Sequence, residues 1–300
     1  MGPISDRLAA APISWGVCEV PGWGQILPRE RVLADMAGLG LRATELGPVG
    51  YLGPDPSSIR AAVQGAGLAA VGGFVPLVLH DVTEWPSWRQ EAERASRLIA
   101  GSGGTFFVTA VIADPGWGRR PPLSGQEWQA VADGLARVDE ICRAHGIRQV
   151  LHPHAGTLVE TGPDIDQVLN RSSVLWCLDT GHLAIGGVDP VAFARSHAAR
   201  IGLVHLKDVN LSVAERMAAD GLSLREATVQ GLFCPLGRGD LEVAAAVEEL
   251  EKAGYPGWYV LEQDTVIAER VSPTSVRPAQ DVDISIEYLR RHFGSPGEVG

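Results

Sequence analysis

Val174-Leu-Trp-Cys-Leu-Asp179 and Ile201-Gly-Leu-Val-His-Leu-Lys207 are two apolar runs of strand length, and each turns polar at its last residues. Between them, 190–198 reads as a helix opened by Pro190. A strand, a helix and a second strand of this kind form one parallel unit. The same unit recurs in both directions along the chain. Strands are expected at 7–15, 42–47, 69–76, 105–112, 148–154, 174–179, 201–207 and 258–263. Helices are expected at 28–39, 55–65, 88–100, 125–145, 163–169, 190–198, 241–253 and 281–293. The fourth is the clearest, with Trp128, Val131, Leu135, Val138 and Cys142 at three-to-four spacing. Asp55 or the Ser57-Ser58 pair caps the second, and the glycines after Ala100 end the third. The polar stretch 210–230 reads as an insertion or lid with some helix.

Eight strands, each followed by a helix, predict a TIM (β/α)8 barrel, an α/β fold in a single domain. It is expected to span 1–293, with 294–300 as a loose tail. An open doubly wound sheet is the rival, but no G-x-G-x-x-G follows a strand.

Composition narrows the function. The 300 residues are 45% hydrophobic with a formal net charge of −11, and no Lys/Arg run stands out. A phosphate backbone calls for a basic face, so no nucleic-acid partner is expected. Cys18, Cys142, Cys177 and Cys234 are far apart, which argues against a disulfide framework and a zinc ribbon and toward a reducing, cytoplasmic setting. No signal peptide and no membrane span are expected.

In a barrel of this type chemistry collects at the C-terminal ends of the strands. There the sequence places Glu45, His152 and His154, Asp179 and His182, His205, Lys207 and Asp208, then Glu262 and Asp264. Such a ring of imidazoles and carboxylates suits one divalent metal ion: Mn, Co, Zn, Fe or Mg. Asp179 would serve equally as a helix cap, and each histidine as a packed structural residue.

Leu178-Asp-Thr-Gly-His182 with the following Gly-Val-Asp189, Val204-His-Leu-Lys-Asp208, Pro235-Leu-Gly-Arg-Gly-Asp240 and Leu261-Glu262 resemble motifs of the xylose isomerase-like superfamily, in order along nearly the whole chain. That group includes sugar isomerases and epimerases, inosose dehydratases and an AP endonuclease branch. Ala11-Pro-Ile-Ser-Trp-Gly16, the stretch 44–53 and His152-Pro-His-Ala-Gly156 with the residues up to Thr161 are most similar to the inosose dehydratases. The resemblance implies a metal held by Asp179, His205, Glu262 and a residue of strand five. Most of the superfamily has Glu there. Here His152 stands at that position, and Glu160 from the next loop is the other candidate.

The implied reaction is loss of water from a keto-inositol through an enolate. Glu45, His154 and Glu262 are candidate bases. Lys207, with a pKa lowered beside a metal, and His182 are candidate acids or oxyanion partners. Trp15, Phe74 and Trp176 offer apolar faces to a ring, and Glu160 and Arg238 offer polar contacts. The implied partner is a small polyhydroxylated ketone, a cyclitol or sugar, and a homodimer is an open option. A ketose epimerase or isomerase on the same metal site is the alternative. An AP endonuclease lacks support at the turn Phe233-Cys-Pro-Leu-Gly237, which holds no Asp-x-His, and a non-catalytic sugar-binding protein is the last rival.

Overall fold

Alternation along short parallel strands organises this chain. The computed structural model describes residues 3–268 and 278–294. Its strands are β1 (Leu8–Ala10), β2 (Ala43–Thr44), β3 (Ala69–Ala70), β4 (Gly72–Leu77), β5 (Phe106–Val111), β6 (Arg148–Leu151), β7 (Leu175–Asp179), β8 (Ile201–Leu206), β9 (Asp208–Val209), β10 (Phe233–Cys234) and β11 (Tyr259–Leu261). All but β9 and β10 pair in parallel, in the order β3-β2-β1-β11-β8-β7-β6-β5-β4. Only Val71 separates β3 from β4. Its N–H donates to the Thr44 carbonyl, and Leu46 N–H donates to the Gly72 carbonyl, each at 2.9 Å. The two pieces are therefore one bent strand that pairs with β2 on one side and β5 on the other. That bend closes an eight-position barrel. Gly72 stands where a Cβ would collide with the Phe106 carbonyl, so the close approach needs glycine.

Successive side chains of a strand point to opposite faces. One buried cluster, including Ala43, Val108, Val150, Cys177, Leu203 and Val260, fills the barrel interior. The intervening residues, such as Leu151, Trp176, Leu178, Val204 and Tyr259, pack outward against the helices. Two residues beyond each interior apolar residue comes a polar one. Ala43 leads to Glu45, Val150 to His152, Cys177 to Asp179, Leu203 to His205 and Val260 to Glu262. One further step of two gives Lys207 and Asp264. The period of two thus delivers the chemical residues to one mouth. A register shift where β7 meets β8 sets Asp179 directly beside His205.

Several elements are shorter or more divided than the sequence reading. The first strand ends at Ala10, because Pro12 opens a 3-10 helix, Pro12–Trp15, which Gly16 ends at φ 76°. Strand 148–154 stops at Leu151, before Pro153. A short helix, Thr180–Ile185, lies between β7 and the expected helix, found at Pro190–His197. The insertion folds as two helices, Leu211–Asp220 and Leu224–Val229, over a small apolar cluster of Val209, Val213, Ala227, Leu232 and Phe233. The last helix, Pro278–Phe293, begins earlier than expected. Of the tail, 295–300 lies outside the described residues. Among the described residues no helix is long and apolar enough to cross a membrane.

Candidate metal centre and active site

The mouth holds a compact polar cluster. One donor atom from each of His152, Asp179, His205 and Glu262 lies within 4.8 Å of all the others. Each comes from the end of a different strand, so the backbone of the barrel fixes their separation. The Asp179 carboxylate does two jobs. Its Oδ1 accepts the His182 N–H at 2.8 Å and caps the helix Thr180–Ile185. Its Oδ2 faces the cluster, 3.2 Å from His152 Nε2 and 3.8 Å from His205 Nδ1. The cap and the ligand position are thus the two oxygens of one side chain.

His205 is held from behind. Glu45 Oε1 lies 3.0 Å from its Nε2 and accepts that N–H. Its Nδ1 lies 2.8 Å from Glu262 Oε2 without a hydrogen bond between them. His152 Nδ1 is likewise buried and unpartnered. Buried polar atoms normally find partners. The unsatisfied His205 Nδ1 facing Glu262 and Asp179, with His152 Nε2 beside the same Asp179 oxygen, is a fair fit for a divalent ion of the Mn, Fe, Co or Zn kind. A carboxylate behind a ligating histidine is the usual way its ring is oriented. Burial works against a charge on His205, but its neighbours Cys177, Glu262 and Glu45 carry its pKa well above the usual histidine value.

Lys207 Nζ lies 3.0 Å from Asp179 Oδ2, 2.5 Å from Glu262 Oε2 and 3.3 Å from Asp264 Oδ1. The side chain is 2% exposed. Burial alone would lower its pKa, yet Asp179, Asp264 and Glu262 raise it well above the ordinary lysine value. The expectation of a lowered lysine pKa is therefore reversed, because three carboxylates outweigh desolvation. Asp208, the next residue, is engaged elsewhere. That carboxylate accepts backbone N–H groups from Gly237, Gly239 and Leu241 at 2.8, 3.0 and 3.1 Å and so ties down the glycine-rich turn.

Above the cluster opens a cavity of about 850 Å³. Volumes of several hundred cubic ångströms suit a small-molecule site. Glu45, His152, Lys207, Glu262 and Asp264 line its floor. Phe74, Trp117 and His154 form one wall, with Trp117 stacked on Phe74 at 6.2 Å and 15°. Trp117 has φ 56°, a strained backbone for a bulky residue of the kind found around functional sites. Across the mouth, Ser223, Leu224 and Arg225 of the insertion also reach the cavity. Arg225 Nε donates to the Trp23 carbonyl at 2.7 Å, joining the insertion to the loop after the first 3-10 helix.

The rings of His154 and His182 meet at 3.8 Å, tilted by 34°. His154 lines the cavity, and burial, with His152 nearby, lowers its pKa to about 3. His182 is completely buried behind it, where its Nδ1 accepts the Ala155 N–H at 3.3 Å. Several further expectations place residues away from the cavity. Trp15 is fully buried in the outer core, with Nε1 donating to Asp35. Trp176 packs there too. Glu160 accepts from Arg120 at 2.7 Å and takes no part in the donor cluster, which contains His152 instead. Arg238 is exposed on its turn and does not line the cavity. Asp264 and Cys177 were legible as members of inward-facing series but were not singled out for a role. Trp117 sits on a loop and Arg225 on the six-residue helix Leu224–Val229, and neither stretch is long enough for periodicity to mark them.

A family model described as xylose isomerase-like TIM barrel matches residues 33–292. The chain belongs to the xylose isomerase-like TIM barrel family. An inosose dehydratase from Geobacillus kaustophilus is 32% identical over 305 residues, covering 95% of this chain and 94% of that protein. The rhizopine catabolism protein MocC from Rhizobium meliloti is 30% identical over 306 residues, covering 98% and 90%. The structure of an L-ribulose 3-epimerase superposes with a TM-score of 0.70 at 18% identity, covering 95% of this chain and 94% of that one. This last likeness is one of fold. Within this xylose isomerase-like barrel, the donor cluster and the cavity share the mouth at the C-terminal ends of the strands.

Proposed function

We propose that this protein is a divalent-metal-dependent dehydratase that removes water from a keto-inositol or a similar cyclic polyhydroxyketone. The observation that carries the reading is the convergence of His152, Asp179, His205 and Glu262 within 4.8 Å of one another, with His152 and Glu262 lining the cavity. The 32% identity to an inosose dehydratase supports the substrate class. These four residues would hold the ion, which supplies Lewis acidity toward a keto oxygen and its neighbouring hydroxyl.

The chain's own groups account for the proton movements. His154 Nδ1 faces the Ala155 carbonyl at 2.9 Å, so Nδ1 carries the hydrogen and Nε2 keeps a free lone pair. Nε2 takes the proton α to the ketone, and the C–H electrons move into an enolate. Contact with the buried His182 ring backs His154 on the side away from the cavity. The His154 imidazolium formed by that abstraction returns the proton to the β hydroxyl while Lys207 donates a hydrogen bond to the leaving oxygen; the C–O bond breaks and water leaves. The resulting enol becomes a dione by tautomerisation. Return of that proton leaves both His154 and Lys207 as they began. Glu45 acts through His205 as a positioning residue. Phe74 and Trp117 give the C–H face of a ring an apolar wall.

Mass spectrometry after incubation with 2-keto-myo-inositol tests this reading. Protein stripped of metal and reloaded with Mn or Co is expected to yield a product lighter by one water, and stripped protein none. Recovery of an isomer of unchanged mass would instead assign epimerisation or isomerisation to the same site. Tight binding with no conversion would assign a sugar-binding role.

A further inference from the structure

We propose that Cys177 extends the metal centre into the barrel, completing with His152 and His205 a donor set of two imidazole nitrogens and one sulfur for a thiophilic divalent ion such as cobalt or zinc. This rests on the metal reading above and names the ion class of that site. Cys177 lies two residues before Asp179 on β7, and its thiol therefore points inward one layer below the carboxylate. One donor atom each from Cys177, His152 and His205 lies within 4.8 Å of the others, and all three residues are buried. The N–S separation in a tetrahedral zinc site is about 3.5 Å, which falls within that reach.

Two further observations point the same way. His152 and His205 are each 1% exposed, and each keeps an Nδ1 with no hydrogen-bond partner. Around the thiol the interior layer is apolar, with Val150, Leu203 and Val260. The donor chemistry also agrees. An imidazole at His152 replaces a hard carboxylate oxygen, and a thiolate below it softens the site further. On ligation the thiol proton leaves to solvent, so the sulfur binds as thiolate.

Cobalt titration of the chelator-stripped full chain tests the proposal, read by absorption spectroscopy. The wild type is expected to bind one cobalt per chain and to gain a near-ultraviolet thiolate-to-cobalt charge-transfer band. C177S and C177A are expected to lose that band while keeping the visible cobalt bands and the stoichiometry. One bound cobalt without the band in the wild type, or the same band in both variants, would overturn the role of Cys177 and leave the four-residue metal site standing. No bound cobalt at all would overturn the metal reading with it. Should neither variant fold, X-ray absorption on the cobalt-loaded wild type decides: a sulfur scatterer in the first coordination sphere supports the proposal, and nitrogen and oxygen alone contradict it.

Discussion

Lys207 shows how much a single side chain does at this mouth. Its ammonium meets Asp179, Glu262 and Asp264 in a setting shielded from water. Removing one partner of a buried ionic group costs about 3–5 kcal/mol, because uncompensated charges stay behind. Lys207→Met is therefore expected to destabilise the metal-free protein by about 3 kcal/mol or more, and added divalent metal to recover part of the loss. Urea unfolding with and without metal measures both; equal losses in the two states would count against a shared carboxylate cluster. Glu45 makes a different prediction. It touches His205 from behind, so Glu45→Gln should leave the fold intact and weaken metal binding by about ten- to a hundredfold. Competition with a coloured chelator reads this directly, and unchanged affinity would remove Glu45 from the metal centre. Residues such as Asp179, His205 and Glu262 were legible in the sequence because each ends an apolar run. His152 was legible as a position, but its choice over Glu160 was not. That choice depends on Arg120, which lies 40 residues before Glu160 and draws it aside.

At the scale of elements, two carboxylates hold loops that the strands cannot. Asp208 gathers three backbone N–H groups of the turn after β10. Asp208→Ala leaves those donors without their acceptor and is expected to cost about 3 kcal/mol, seen as a lower urea midpoint. A loss below about 0.5 kcal/mol would mean that the turn is held by other contacts. Asp164 caps the helix Gly162–Leu169 through Thr161 and also pairs with Arg120. Burial opposes its charge, but the Thr161 and Arg120 hydrogen bonds bring its pKa below the ordinary aspartate value. Its contribution is therefore full above the unfolded pKa of about 4 and is lost as pH falls through the lower folded value. Asp164→Asn should flatten the acid limb of the stability curve below about pH 4, with less change in slope above it. An unaltered acid limb would show that Asp164 titrates alike folded and unfolded. The expected helices 55–65 and 125–145 were legible through their caps and apolar spacing. Thr180–Ile185 was not, since six residues give too little periodicity and its cap is the same Asp179 that ends β7. The bend at Val71 was hidden for a related reason: one continuous apolar run serves two neighbours.

At the scale of the whole molecule, the barrel turns a period-two pattern into a site. Apolar interior residues give way to imidazoles and carboxylates one step higher, and closure brings strands distant in sequence to within a few ångströms. This is why the fold and most of the mouth were legible from strand ends alone. The cavity walls were not, because Trp117 comes from a loop and Arg225 from a short helix of the insertion, both placed by tertiary contacts. The account as a whole predicts a reaction at this mouth. Proton NMR in D₂O, with 2-keto-myo-inositol and metal-reloaded protein, tests it most directly. The account predicts metal-dependent conversion to a dione with loss of water, and no conversion by stripped protein or by the His154→Gln variant. Inversion of a stereocentre with deuterium incorporation and no water lost would contradict the proposed dehydration, and the absence of any exchange with either Mn or Co would contradict the proton abstraction on which it depends.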